Sequence, residues 1–292
     1  MHKKPKRITF PGADYEIRIV GEHPRPLLDF YHGMMRLSWT ATLLVICAAY
    51  LLINAVFALG YLATGGVENA AHGSFADALY FSVETMGTIG YGSMYPKTDA
   101  ANVLMVAESM TSLILTALAT GLIFAKFSRP TARVVFTREA VISPLNGVPT
   151  LMLRLGNERG NEIVDARIRA VIVRSEHLPE GGVFYRMLDL KLSRSHALSL
   201  TRSWSLLHPI DQESPLYGAT TESLAEQEVE LQVFLVGLDD TSMQTVHASH
   251  RYYARQILFG ARHADVLTEA EDGALILDLR KFHEVESTEK AG

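Results

Sequence analysis

The stretch SFADALYFSVETMGTIGYG, Ser74 to Gly92, joins a short apolar helix pattern directly to a pentapeptide in which glycine alternates with larger residues. Ser74 with Asp77 three residues on is a helix-start signature, a hydroxyl N-cap followed by an acid. The apolar-rich run Ala78 to Met86 then gives a helix of about three turns. A bilayer core needs about 20 apolar residues, so this helix is too short to cross one.

Its flanks are long enough. Leu37 to Val67 contains no charged residue, and its core from Trp39 to Ala63 makes a helix of about 37 Å. Ala100 to Ala125 carries a single charge, Glu108. The averages conceal this: 48% hydrophobic, 20% charged, net charge -5 and mean hydropathy +0.11 describe an ordinary soluble chain. Yet between Leu37 and Ala125 lie only Glu68, Asp77, Glu84, Lys97, Asp99 and Glu108, while the remaining 53 of 59 charges fall outside. That split excludes a uniform soluble domain, a disordered chain and a fibrous repeat. The first apolar run starts too late and is too long for a signal-peptide core, so it reads as an uncleaved span.

Basic residues set the orientation. Lys3, Lys4, Lys6, Arg7, Arg18, Arg25 and Arg36 precede the first span, Lys126, Arg129, Arg133 and Arg138 follow the second, and Lys97 alone lies between. By the positive-inside rule both termini are cytoplasmic and the 64–99 segment is external. A short helix there is a re-entrant segment, allowed only where protein or a water-filled cavity surrounds its end.

Thr88-Ile89-Gly90-Tyr91-Gly92 follows that helix. A dehydrated potassium ion needs rings of oxygens in place of its water shell, and several copies of an extended strand supply them from backbone carbonyls. Carbonyls that all point one way require backbone angles that glycine tolerates, which Gly90 and Gly92 provide. K+ is expected against Thr88, Ile89, Gly90 and Tyr91. Thr88 adds its hydroxyl at the inner end, and Ile89 and Tyr91 point away and wedge the strand against the helix. The helix C-terminus aims its partial negative charge at the ion path. One chain offers only part of each oxygen ring, so several copies must assemble. Glu108, at about the same depth, either braces the filter from behind or snorkels to the outer interface.

Leu27, Leu28, Phe30, Tyr31, Met34, Met35 and Leu37 project to one helix face and Arg25, Asp29, His32 and Arg36 to the other, an amphipathic helix in the membrane interface. Beyond Arg129-Pro130, apolar or alternating runs recur at 133–137, 150–156, 162–174, 183–192, 229–237, 251–258 and 274–279, separated by turn signals such as Asn146-Gly147 and Gly181-Gly182. They read as a β-sandwich. The histidines there lack metal-ligand spacing. Cys47 is the only cysteine and sits in an apolar run. The charge gives no argument for nucleic-acid binding, and no nucleophile–base pair, phosphate loop or metal cluster points to an enzyme.

The order of interfacial helix, span, pore helix, TIGYG, span and β-rich region resembles the inward-rectifier potassium channels, specifically their bacterial branch. Similar blocks continue at His208-Pro-Ile-Asp211, Ser214-Pro-Leu-Tyr217, Gln256 to Gly260 and Phe282-His283. The resemblance implies a two-span membrane α pore domain (39–128) after an N-terminal region with a slide helix (1–38). A cytoplasmic all-β immunoglobulin-like sandwich (129–285) and a tail (286–292) follow. It also implies a homotetramer in the bacterial inner membrane, under the broader label of voltage-gated channel, with K+ permeant and no cofactor.

Several residue roles come from the resemblance alone. Phe124 matches the gate residue where the inner helices converge. Glu84, read as ending the pore helix, matches an acid that pairs with an Arg just past the filter in animal relatives; here that position is Met94. The acid that attracts polyamines or Mg2+ in strong rectifiers is replaced by Thr116, Asp165 matches an acid lining the cytoplasmic pore, and Gln256 replaces another. Weak block by such cations is expected, and Ba2+ is a further expected blocker. Arg36, Lys126, Arg129 and Arg133 cluster just inside the membrane, where they suit anionic lipid headgroups. The competing reading is a membrane-anchored β-domain binding protein with a non-conducting pore segment.

Overall fold

The computed structural model describes residues 6–9, 16–19, 30–269 and 271–288. Two units emerge, one over residues 21–129 and the other over 130–292 together with 1–20. Strands β1 (Lys6–Thr9) and β2 (Glu16–Ile19) pair antiparallel. This N-terminal strand pair lies outside every run expected from the sequence.

In the 21–129 unit, α1 (Phe30–Arg36) precedes α2 (Trp39–Thr64), β3 (Val67–Glu68), α3 (Phe75–Met86), β4 (Tyr95–Pro96) and α4 (Asp99–Phe127). Hydroxyl caps start the three longer helices: Ser38, Ser74 and Thr98 accept from the N–H of Ala41, Asp77 and Ala101, each at 3.2 Å. The second span extends one residue before and two residues after the expected Ala100–Ala125, and Glu84 stands two residues before the end of α3 instead of closing it. Spans of 26 and 29 residues are long and apolar enough to cross a membrane.

Small residues let the three helices approach. Ala58, Ala78 and Ala101 are buried among them, and Tyr61 meets Phe81 edge-on with ring centroids 4.9 Å apart. Outward, Leu44, Leu52, Val103, Leu113 and Ile114 are exposed, an apolar surface that water would not leave uncovered. In α1 the expected single apolar face splits: Met34 and Met35 are buried while Phe30 and Tyr31 are exposed. Arg25, Leu27, Leu28 and Asp29 lie outside the described residues.

The 130–292 unit is a sandwich of two five-stranded sheets. Its strands run β5 (Val134–Phe136), β6 (Ala140–Leu145), β7 (Val148–Asn157), β8 (Ile163–His177), β9 (Val183–Asp189), β10 (His196–Leu200) and β11 (Ser203–Pro209). After the short helix α5 (Thr221–Glu226) come β12 (Glu230–Asp239), β13 (Thr245–Tyr253), β14 (Ile257–Phe259), β15 (Ala261–His263), β16 (Leu267–Glu269), β17 (Leu275–Leu277) and β18 (Val285–Ser287). One sheet has the order β10-β8-β12-β13 with β9 added on β8; the other has β11-β7-β6-β14 with β5 added on β7. All pairs in these two sheets are antiparallel except β14 with β6. Asn146 and Gly147, both at positive φ (52° and 80°), close the two-residue hairpin β6–β7.

Both inner faces contribute to one core, with Leu151, Leu153, Leu155, Leu206, Leu231 and Leu235 essentially inaccessible. The run expected at 251–258 divides into the end of β13, a turn at Ala254–Gln256 and β14. The tail expected from 286 is in part strand, because β18 pairs with β15 through Ser287. Burial drives the imidazole of His263 down to about 4, with the Arg154 guanidinium adding to the effect.

A bulge interrupts β8. Ile163, Ala166, Ile168, Ala170 and Ile172 face the core, so one extra residue lies between Ile163 and Ala166. Asp165 has φ 51° there, and the partner strand slips between Val236 and Leu238. Gly237 faces the bulge: a Cβ at this position would sit 2.4 Å from Cγ2 of Ile163. Ile163 is buried and β-branched and has no free rotamer to yield. Gly237→Ala is therefore expected to destabilise the β-rich unit by about 1–3 kcal/mol, read as a lower midpoint in thermal unfolding of the purified full-length protein; an unchanged midpoint would contradict the close approach.

Candidate ion-conduction site

The site begins where α3 ends. Hydrocarbon offers no hydrogen bonds, so the last carbonyls of a buried helix need internal partners. Gly87 N–H donates to the Val83 carbonyl at 2.8 Å, Thr88 N–H to Thr85 at 3.2 Å and Ile89 N–H to Glu84 at 2.9 Å. The last two form a Schellman motif, with Thr88 at its left-handed position (φ 54°). A β-branched residue is seldom found there and costs roughly 1–2 kcal/mol relative to a right-handed one. The fourth carbonyl, of Met86, accepts from Ser112 Oγ of α4 at 2.6 Å.

From Thr88 the chain alternates. Thr88, Gly90 and Gly92 have φ of 54°, 58° and 77°, whereas Ile89 and Tyr91 do not have positive φ. An all-extended strand points successive carbonyls to alternate sides, so a departure of this kind, which glycine tolerates, is what a one-sided row of carbonyls needs. Tyr91 is 78% exposed and Ile89 47% exposed within the protomer, so neither wedges fully against its own helix as expected from the sequence.

Behind this segment, side chains from three helices form a buried polar chain. Tyr61 of α2 donates to Glu108 Oε2 at 2.6 Å, and the other carboxyl oxygen of Glu108 meets the hydroxyl of Ser82 in α3. Ser82 Oγ also lies 3.0 Å from Asn54 Oδ1, and Asn54 Nδ2 donates to the Tyr50 carbonyl at 2.8 Å and to Met86 Sδ at 3.1 Å. Glu108, Asn54 and Ser82 are all fully buried, so Glu108 does not snorkel to an interface. Among the described residues Glu84 has no side-chain hydrogen bond or ion pair. Asn54, Ser82 and Ser112 were missed in the sequence. Asn54 carried a signal, as the only side-chain amide in the charge-free run, where an unpaired polar group is costly.

Next to this segment, Asn69 donates to the Ser93 carbonyl at 2.8 Å, and Lys97 pairs with Glu68 at 3.0 Å beside β3 and β4. At the far end of α4, Phe124 is 69% exposed, and Thr116 also faces outward. Lys126 is buried, donating to the carbonyls of Leu37 at 2.6 Å and Met34 at 3.3 Å, and Arg129 donates to the Met35 carbonyl at 2.9 Å. These two cations therefore cap the end of α1. Arg36 and Arg133 are exposed.

In the β-rich unit Asp165 is bonded on both oxygens, to His196 Nε2 at 2.6 Å and Arg167 Nη2 at 2.9 Å. These partners hold its carboxyl below the usual carboxylate range, His196 contributing most. Gln256 is tied into its turn, accepting from Tyr253 N–H at 3.1 Å and donating to the Arg138 carbonyl at 3.2 Å.

Residues 134–291 match the inward rectifier potassium channel C-terminal domain, and residues 39–129 match an ion channel family. The chain is 44% identical over 284 residues to inward rectifier potassium channel Kirbac3.1 of Paramagnetospirillum magnetotacticum, covering 97% of this chain and 96% of that protein. It is 32% identical over 290 residues to ATP-sensitive inward rectifier potassium channel 12 of Bos taurus (90% and 68%). Identity to ATP-sensitive inward rectifier potassium channel 8 of Homo sapiens is 29% over 294 residues (90% and 69%). These relatives are channels and not enzymes. The broader label of voltage-gated channel is a mismatch: a voltage sensor needs a span rich in arginine, and α2 and α4 contain none. With both units matched and identity running along nearly the whole chain, the protein belongs to the inward rectifier potassium channel family.

Proposed function

We propose that the protein conducts K+ passively through a homotetrameric pore whose filter is Thr88, Ile89, Gly90, Tyr91 and Gly92. The observation that carries this is the positive φ at Thr88, Gly90 and Gly92 immediately after a re-entrant helix between two spans. Four copies of this backbone would surround an ion with carbonyl rings, with K+ held between the levels of Thr88 and Tyr91. The pore lies in the bacterial inner membrane with both termini cytoplasmic, in keeping with the basic residues outside the two spans.

Phe124 is the gate. Its bulky apolar side chain, exposed in the protomer, suits a constriction that closes by dewetting. Anionic lipids modulate the channel through Arg36, Arg133 and the residual donors of Lys126 and Arg129. The last two already hold α1, so a headgroup that engages them competes with backbone carbonyls. Rectification is weak, because Thr116 carries no charge and Asp165 shares its charge with Arg167 and His196. Gln256, neutral and occupied in its turn, adds nothing to cation block.

Proteoliposomes holding the full-length protein are expected to take up 86Rb+ in preference to Na+, with Ba2+ abolishing uptake and the rate changing with the fraction of anionic lipid. No uptake under any lipid composition would favour a tethered binding protein, and indifference to lipid charge would remove the lipid role. Phe124→Ala is expected to raise open probability several-fold in single-channel recordings; unchanged gating takes the residue out of that role. Spermine on inside-out patches is expected to block only weakly, and Thr116→Asp to strengthen that block by about tenfold through one added charge per subunit. Steep block of the wild type would contradict this account of Asp165 and Thr116.

A further inference from the structure

Met86 is where α3 stops and the chain toward the filter begins, and both spans hold it. Its carbonyl accepts from Ser112 Oγ of α4 at 2.6 Å, and its thioether sulfur accepts from Asn54 Nδ2 of α2 at 3.1 Å. All three residues are buried. Of the last four carbonyls of α3, those of Val83, Glu84 and Thr85 are satisfied by backbone N–H groups of Gly87, Ile89 and Thr88. Met86 alone relies on a side chain, so the orientation of the peptide that follows it depends on one hydroxyl.

Neither partner is free to drift. Ser112 lies four residues beyond Glu108, on the same face of α4. Glu108 is gripped by Tyr61 at 2.6 Å and by Ser82. Asn54 spends its second amide hydrogen on the Tyr50 carbonyl at 2.8 Å and its oxygen on Ser82 at 3.0 Å. The bonds run from Asn54 of α2 through Ser82 of α3 to Glu108 of α4, one turn of α4 carries the link to Ser112, and Ser112 returns it to Met86, a circuit around the base of the filter. A carbonyl deprived of Ser112 would have to stay unpaired in a buried site or rotate, and rotation would carry the Gly87–Thr88 backbone with it.

We propose that Ser112 is a positioning residue of the filter, its hydroxyl fixing the peptide that leads into Thr88, while Asn54 fixes the Met86 side chain. This rests on the filter reading given under Proposed function. Substitution should therefore act on ion discrimination, because the filter distinguishes K+ from Na+ by where its oxygens stand.

The test is the K+/Na+ permeability ratio, with Ba2+ block alongside, of full-length wild type, Ser112→Ala and Ser112→Thr reconstituted in planar bilayers. Loss of one buried hydrogen bond should lower the ratio of Ser112→Ala about fivefold and weaken Ba2+ block. Ser112→Thr retains the hydroxyl and should keep the wild-type ratio. A packing role would lower thermal stability and leave the ratio unmoved. An unchanged ratio in Ser112→Ala, or an equal loss in both variants, overturns the proposal. Should Ser112→Ala fail to assemble, Asn54→Ala, which removes the contact to the Met86 sulfur and leaves the serine bond, decides in the same assay: a lowered ratio supports the circuit and an unchanged one overturns it. A wild type that does not select K+ removes the filter reading itself, whereas a selective wild type with an unaltered Ser112→Ala removes this inference alone.

Discussion

The backbone polar groups at the C-terminal end of α3 must find partners inside the protein, and the architecture of the 21–129 unit follows from that. The helix ends within the unit, and its last carbonyls take partners from the protein itself. Three are taken by the chain doubling back through Gly87, Thr88 and Ile89, and that reversal forces Thr88 into the left-handed region. The fourth requires a donor from α4. The alternating backbone of Thr88 to Gly92 therefore starts as the solution to a capping problem, and Gly90 and Gly92 continue a pattern that Thr88 has already entered.

Charge follows the same economy. Glu108, an acid with no exposure, is placed between two hydroxyls, and those hydroxyls lie on the two helices it must keep together. Lys126 and Arg129 spend hydrogen bonds on the carbonyls at the end of α1. Asp165 stands on a bulge and is met by Arg167 and His196. In each case a charged residue is engaged first by the protein's own groups.

The sandwich shows how local pattern and tertiary demand divide the work. The long alternating run of β8 and the Asn146-Gly147 turn were legible, because period-two burial and positive-φ turn residues leave marks in composition. The short strands β10, β11, β15, β16 and β18 were not, whereas the run expected at 274–279 does contain β17. Their three to seven residues are too few to show a period, and they exist because neighbouring strands offer hydrogen bonds. The single run expected at 251–258 broke at Ala254–Gln256, where Gln256 bonds both Tyr253 and Arg138. No propensity of those residues announces a partner more than a hundred positions away.

What the sequence alone determined is the division of the chain into two solvents, the two spans, the capped short helix and the glycine pentapeptide, since hydrophobic length, hydroxyl caps and glycine spacing are local properties. It also marked Glu108 as a residue to explain. Tertiary structure decided which partners the polar residues have. Asn54, Ser82, Glu108 and Ser112 are separated by 28, 26 and 4 positions along the chain and become neighbours only when three helices pack. Hydrogen-bond partnership across helices depends on which faces meet, and that is set by small residues such as Ala58, Ala78 and Ala101 that let the backbones approach.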